Sequence, residues 1–122
     1  MFSLASSFRY YLYRGSTDMR KSFDGLSGLV QSQLKRNPMS GEVFIFVNRR
    51  RTKVKLLRWE QGGFILYYKR LESGTFELPK FQNESVSCQM SWTTLMLMIQ
   101  GISIEKSKQR RRYFINNFLP AS

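Results

Sequence analysis

The chain has 122 residues, with 20 Lys+Arg against 8 Asp+Glu, a formal net charge of +12, 42% hydrophobic and 15% aromatic content. That length fits one domain, and the apolar content is enough for a core, which excludes a disordered basic tail protein. No histidine is present and Cys88 is the single cysteine, which removes His-based catalysis, His-ligated metals, an intramolecular disulfide and a thiolate zinc cluster, and turns attention to polyanion binding.

Residues 8–14, FRYYLYR, alternate, with Phe8, Tyr10 and Leu12 on one side and Arg9, Tyr11 and Tyr13 on the other. This is the pattern of a half-buried strand. Gly15-Ser16-Thr17 breaks it, and Ser16 or Thr17 is expected to cap a helix with Asp18 in its first turn. Met19, Phe23, Leu26, Val30 and Leu34 form one apolar stripe, predicting a helix over 18–36 that Asn37-Pro38 ends. Gly25 and Gly28 predict close backbone approach to the sheet.

Residues 43–47, VFIFV, read as a central strand. Residues 52–59 and 64–71 read as strands joined by a Gln61-Gly62-Gly63 hairpin, and 75–78 as a short strand ended by Pro79. A further strand is expected over 85–90, where Val86, Cys88 and Met90 alternate and make Cys88 a core thiol. Ser91 is placed to cap a helix over 92–100, and Gly101 to stop it. Residues 103–112 hold five basic residues and one acid, and read as a basic tail or frayed helix. The expected organisation is one domain over 1–102 and a basic, aromatic tail over 103–122. The expected fold is α+β, with a mainly antiparallel sheet of about five strands. One long N-terminal helix packs on that sheet, and a second short helix lies near the C-terminus.

The charge is clustered. Arg49, Arg50, Arg51, Lys53, Lys55 and Arg58 lie in one acid-free stretch. Val54 and Leu56 are expected to face the core, leaving Lys53 and Lys55 outward. Lys69 and Arg70 are expected alongside on the next antiparallel strand, completing a basic ledge. Arginine forks and lysine point charges hold phosphates, and about six such contacts give a salt slope of roughly −5. Lys108, Arg110, Arg111 and Arg112 add non-specific attraction. Tyr11, Tyr13, Tyr67 and Tyr68 are candidates for base stacking, weighed against simple sheet packing. Metal-assisted DNA cutting needs converging carboxylates. Asp18 and Asp24, six apart, do not share a helical face, and no acidic pair has ligand spacing. No enzyme activity, metal or cofactor is expected.

No apolar run reaches the roughly 18 residues of a membrane span, and the N-terminus does not read as a signal peptide. A cytoplasmic, nucleoid-associated setting is expected, with no membrane partner.

The stretch Gly15-Ser-Thr-Asp-Met-Arg-Lys-Ser-Phe-Asp-Gly-Leu26 resembles a G-x-T-D-M-R-K-x-F-D-G-L signature. Val43-Phe-Ile-Phe-Val-Asn-Arg-Arg-Arg51, Val54-Lys-Leu-Leu-Arg-Trp59, and Gly63 to Phe76 followed by Pro79 continue the resemblance in order. The family so resembled is the TnpB-type, second-reading-frame accessory protein of insertion sequence 66 elements, over about residues 4–102. It shares only a name with the RNA-guided nuclease. The resemblance implies a bacterial protein that assists transposition beside a separate transposase carrying the cutting carboxylates. It implies DNA, at transposon ends or non-specifically, and the transposase as partners. Asp18, Arg20, Lys21 and Asp24 are the polar residues of the matched motif. They are read either as a partner-facing helix start or as a local pairing of Asp18 with Lys21 and Lys21 with Asp24. The end of the chain, YFINNFLPAS, departs from the pattern. The expectation is a non-catalytic DNA-binding accessory factor; the alternative is an adaptor that binds the transposase, or RNA, without reading DNA.

Overall fold

The computed structural model describes residues 4–101. In chain order the elements are β1 Tyr10–Ser16, α1 Phe23–Ser32, β2 Val43–Val47, β3 Lys53–Glu60, β4 Gly63–Arg70, β5 Ser87–Met90 and α2 Trp92–Ile99. The strands form one sheet in the order β4-β3-β2-β1-β5. β1 and β2 run parallel, and the other neighbours run antiparallel. The segment from Thr17 to Glu42 carries α1 across the sheet, the kind of crossover a parallel pair requires. The expected fold class is therefore corrected. The sheet is mixed, and a ten-residue helix replaces the long N-terminal one, although an α+β composition is broadly right.

Each face of the sheet carries a helix. On one, Tyr10, Leu12, Val43, Ile45, Val54 and Leu56 pack with Leu95, Met98 and Ile99 of α2. On the other, Tyr11, Phe44, Phe46 and Leu57 pack with Leu26, Val30 and Leu34 of the α1 region. β2 is thus buried on both faces, with all five residues at most 3% exposed, and this explains its unbroken apolar run.

Tertiary contacts shorten α1. The Asp18 carboxylate accepts the Arg20 backbone N–H at 2.9 Å, closing a local turn. The carbonyls of Met19 and Lys21 accept from the Lys55 ammonium at 2.7 and 2.8 Å. That segment is held against the sheet, and the N-cap falls at Ser22, with no side-chain cap. Ser16 and Thr17 are not caps. At the other end, Lys35 takes a left-handed φ of 55°, and the chain leaves the helix before Pro38. Neither Gly25 nor Gly28 approaches the sheet. The atoms nearest a Cβ at Gly25 would be those of the Lys21 side chain, and one at Gly28 would meet nothing within 4 Å.

The β3–β4 hairpin closes as expected. Glu60 pairs with Gly63, and positive φ at Gln61 and Gly62 gives the primed turn that matches strand twist. Residues 75–78 are not a strand. Phe76 instead plugs the α2-side core at 1% exposure, its N–H donating to the Arg51 carbonyl at 2.6 Å. Strand β5 covers only Ser87–Met90, with Val86 48% exposed before it and Cys88 half-buried. The Ser91 hydroxyl accepts the Thr94 N–H at 3.1 Å and caps α2. No helix among the described residues is long and apolar enough to cross a membrane.

Arg36 clamps the entry to β2. Its guanidinium forks onto Glu42 at 3.0 and 2.8 Å and lies 3.9 Å from the Tyr11 ring centroid. These hydrogen bonds hold the Glu42 carboxyl below its ordinary value. A depressed folded-state pKa contributes stability that is present above the unfolded value and lost as pH falls through the folded one. Glu42→Gln is therefore expected to flatten the loss of stability below pH 4.5, read as urea midpoints across an acid series. Equal acid slopes in both proteins would refute this.

Candidate nucleic-acid interface

The site begins with one asparagine. Asn48 follows β2, and its side-chain oxygen accepts the N–H groups of Thr52 and Lys53, each at 2.9 Å. Its amide donates to the Thr52 hydroxyl at 3.1 Å, and its carbonyl accepts the Arg51 N–H at 3.0 Å. Arg51 takes a φ of 58° to complete the turn. The result is a rigid platform from which Arg49, Arg50 and Arg51 project, all three exposed. None of them makes a side-chain hydrogen bond or ion pair among the described residues. Asn48→Ala removes three side-chain bonds and is expected to cost about 1–2 kcal/mol. Thermal melting should register that loss, together with faster amide exchange at Thr52 and Lys53; unchanged exchange there would show that the turn holds without the side chain.

The expected ledge divides. Lys53 is half-buried with no side-chain partner among the described residues, and pairs in register with Arg70. Lys55 does not point into solvent. It is 5% exposed, donates to two carbonyls and lies 4.6 Å from the Tyr68 ring centroid. Burial pushes its pKa down, with the Asp18 charge acting the other way. Arg58 faces the α2 side. It donates to the Gly41 carbonyl at 2.9 Å, pairs with Glu60 at 3.2 Å and stacks on Phe8 at 3.9 Å. Lys69 shares that side and donates to the Ile99 carbonyl at 2.8 Å, satisfying the end of α2. Arg70 is exposed but paired with Glu72 at 2.9 Å. Four of the expected phosphate contacts thus have structural partners: strand alternation and packing draw Lys55, Arg58 and Lys69 inward, and Glu72 pairs with Arg70 at the surface. Lys108, Arg110, Arg111 and Arg112 lie outside the described residues.

The motif residues behave differently from either expected pairing. Asp18 pairs with Arg20, not Lys21, at 2.6 Å. The Arg20 hydrogen bonds lower the Asp18 pKa to about 2. Lys21 and Asp24 are exposed at the start of α1. Gly15 lies inside β1, and a Cβ there would fall 2.5 Å from the Tyr13 ring. β1 carries extra residues between the Leu12–Ile45 and Ser16–Val47 pairs. The missing side chain at Gly15 lets Tyr13 fold over this irregularity and pack on Phe46 at 6.1 Å.

These pieces meet at the C-terminal ends of the two parallel strands, the edge where open α/β sheets place ligands. A cleft of about 650 Å³ opens there. Arg49, Arg50 and Lys53 line it on one side, Asp18 and Arg20 on the other, with Tyr68 as an aromatic wall. Thr17 also lines it. Its hydroxyl is buried and has no hydrogen-bond partner among the described residues, which ordinarily costs about 1–3 kcal/mol. A second groove of about 610 Å³ lies beyond Arg51, with Arg14 and Lys80 on its walls. Arg49 and Arg51 both line the smaller hollow between Gly15 and Leu78. The arginine turn therefore stands between two basic grooves. Sequence reasoning did not assign Arg14 or Lys80, and read Arg20 as part of a partner-facing helix start and not as a wall of the basic cleft. No local pattern marks them, because the turns around 17–22 and 79–85 bring them in. Arg14 holds the second of these loops, donating to the Asn83 carbonyl at 2.9 Å.

The family model described as IS66 Orf2 like protein matches residues 8–109. The chain belongs to the IS66 Orf2-like family. That match spans β1, the motif after it, the arginine turn and the hairpin, so both basic grooves lie inside the family region. The IS66 Orf2-like family is one of insertion-sequence accessory proteins and is not a known catalytic family. Two relatives from Sinorhizobium fredii (strain NBRC 101917 / NGR234) are similar along most of their length. The chain is 35% identical to uncharacterized protein y4hO over 95 residues, 77% of this chain and 80% of the relative. It is 31% identical to uncharacterized protein y4jC over 93 residues, 76% of this chain and 78% of the relative. No solved structure matches this IS66 Orf2-like chain.

Proposed function

We propose that this protein is a DNA-contacting accessory factor of transposition that acts without catalysis in the bacterial cytoplasm, beside a separate transposase. The observation that carries this reading is the arginine turn. Three consecutive exposed guanidiniums sit on a platform fixed by Asn48, with Lys53 adjoining, and among the described residues no carboxylate forms an ion pair with any of the four. Cations that project unpaired from a fixed backbone are suited to phosphates, because no internal ion pair has to be broken and no backbone order has to be gained on contact. Such contacts release condensed counterions, so affinity falls with salt. The four cations from Arg49 to Lys53 imply a slope of roughly −4 on duplex DNA. Retardation of a labelled duplex bearing the element's terminal repeat, beside a random duplex, tests the reading across a salt series. Binding that shows no salt dependence, or no binding to either duplex, would overturn it.

A second reading, an adaptor that grips the transposase, is favoured by Phe23. This residue is 43% exposed in the first turn of α1, beside Lys21. Capture of purified transposase by the native chain, lost on Phe23→Ser while duplex binding persists, would favour the adaptor.

A further inference from the structure

The geometry points to the Tyr68 cleft as a pocket for one unpaired nucleotide of a DNA strand, its base on the Tyr68 ring and its phosphate on Arg49, Arg50 and Lys53. This rests on the DNA-contacting reading and adds a place for an unpaired nucleotide beside the surface that holds the duplex.

Tyr68 is 51% exposed although it stands in a strand with covered neighbours. Lys55, buried at 5% exposure, lies 4.6 Å from its ring centroid. The lysine therefore backs the inner face of the ring, and the exposed surface is turned to the cleft. A ring fixed from behind by a cation is a stacking platform with little motion to lose. The cleft volume of about 650 Å³ falls within the roughly 300–1,000 Å³ of small-molecule sites. A base with its phosphate enters such a space, whereas a duplex, a broad convex cylinder, lies only across the rim. The cations on the cleft are Arg20, Arg49, Arg50 and Lys53 against the single carboxylate Asp18, so the site favours an anionic ligand. Arg20 is tied to Asp18, which leaves Arg49, Arg50 and Lys53 for the phosphate. The Thr17 hydroxyl, buried and without a hydrogen-bond partner among the described residues, belongs to the same lining as Ser16.

Fluorescence anisotropy on the full chain tests the inference. The probes are a labelled oligothymidylate of roughly ten nucleotides, an abasic strand of the same length, and a random duplex. Tyr68→Ala is expected to weaken oligothymidylate binding by about tenfold, and Tyr68→Phe to keep it, because stacking needs the ring and not the hydroxyl. The abasic strand is expected to bind the native chain about as weakly as oligothymidylate binds Tyr68→Ala. Duplex affinity is expected to change less than about twofold in either variant. Tyr68 is half exposed, so melting temperatures of the variants provide the folding check, and Tyr68→Phe stands as a variant that keeps the packing. Equal affinities for oligothymidylate and the abasic strand, or for native and Tyr68→Ala protein, would overturn the pocket. If that happens while the duplex still binds in a salt-dependent way, only this inference falls; loss of duplex binding as well removes the DNA-contacting reading beneath it.

Discussion

Reversing the arginine turn with Arg49→Glu, Arg50→Glu and Arg51→Glu is expected to weaken duplex binding by about a hundredfold or more at moderate salt. The salt slope should become shallower by roughly 3, since each lost phosphate contact removes about one unit. The effect on folding should be small. All three side chains are exposed, and substitutions at such sites usually stay within about 0.5 kcal/mol. The turn itself is held by Asn48 and by backbone bonds, including Phe76 to the Arg51 carbonyl, none of which uses a guanidinium. A triple variant that melts like the native chain and binds duplex DNA with unchanged affinity and slope would remove the arginine turn from the interface.

Lys55→Met is expected to act in the opposite sense, lowering stability by about 2 kcal/mol, or roughly 5–10 °C in melting temperature. Methionine keeps most of the aliphatic stem but leaves the Met19 and Lys21 carbonyls without their ammonium. It also removes the cation behind Tyr68. Met19 and Lys21 are not fully buried, so water can reach part of what is lost, and the figure stays below the sum of two charge-assisted bonds. Lys53→Met, two residues earlier on the same face of the strand, should leave stability within about 0.5 kcal/mol and reduce the salt slope by about 1. Two lysines with one sequence pattern thus have separate duties. If Lys55→Met melts like the native chain, the 17–22 segment is held by something other than this lysine.

Local order explains what was legible. Alternation and apolar runs gave strands close to their observed limits at 43–47, 53–60 and 63–70, and turn chemistry placed the Gln61-Gly62 hairpin and the Ser91 cap. The same logic failed where a distant group competes for the backbone. The stripe from Met19 to Leu34 has helical spacing, yet its first turn is diverted by Lys55 from across the sheet. Phe76 sits in an alternating stretch but is drawn into the core as a single plug.

The order of residues was enough to establish that this chain has a core, that Tyr10, Leu12, Val54 and Leu56 face it, that positive charge concentrates around 49–58, and which family the chain resembles. Only the tertiary structure decided which of those charges remain available, because that depends on the pairing of β1 with β2, on which face each helix covers, and on where carbonyls at Met19, Gly41 and Ile99 come to rest. Charge is written residue by residue, but a cation is taken up or left exposed by partners that lie far along the chain, and no local pattern records their distance.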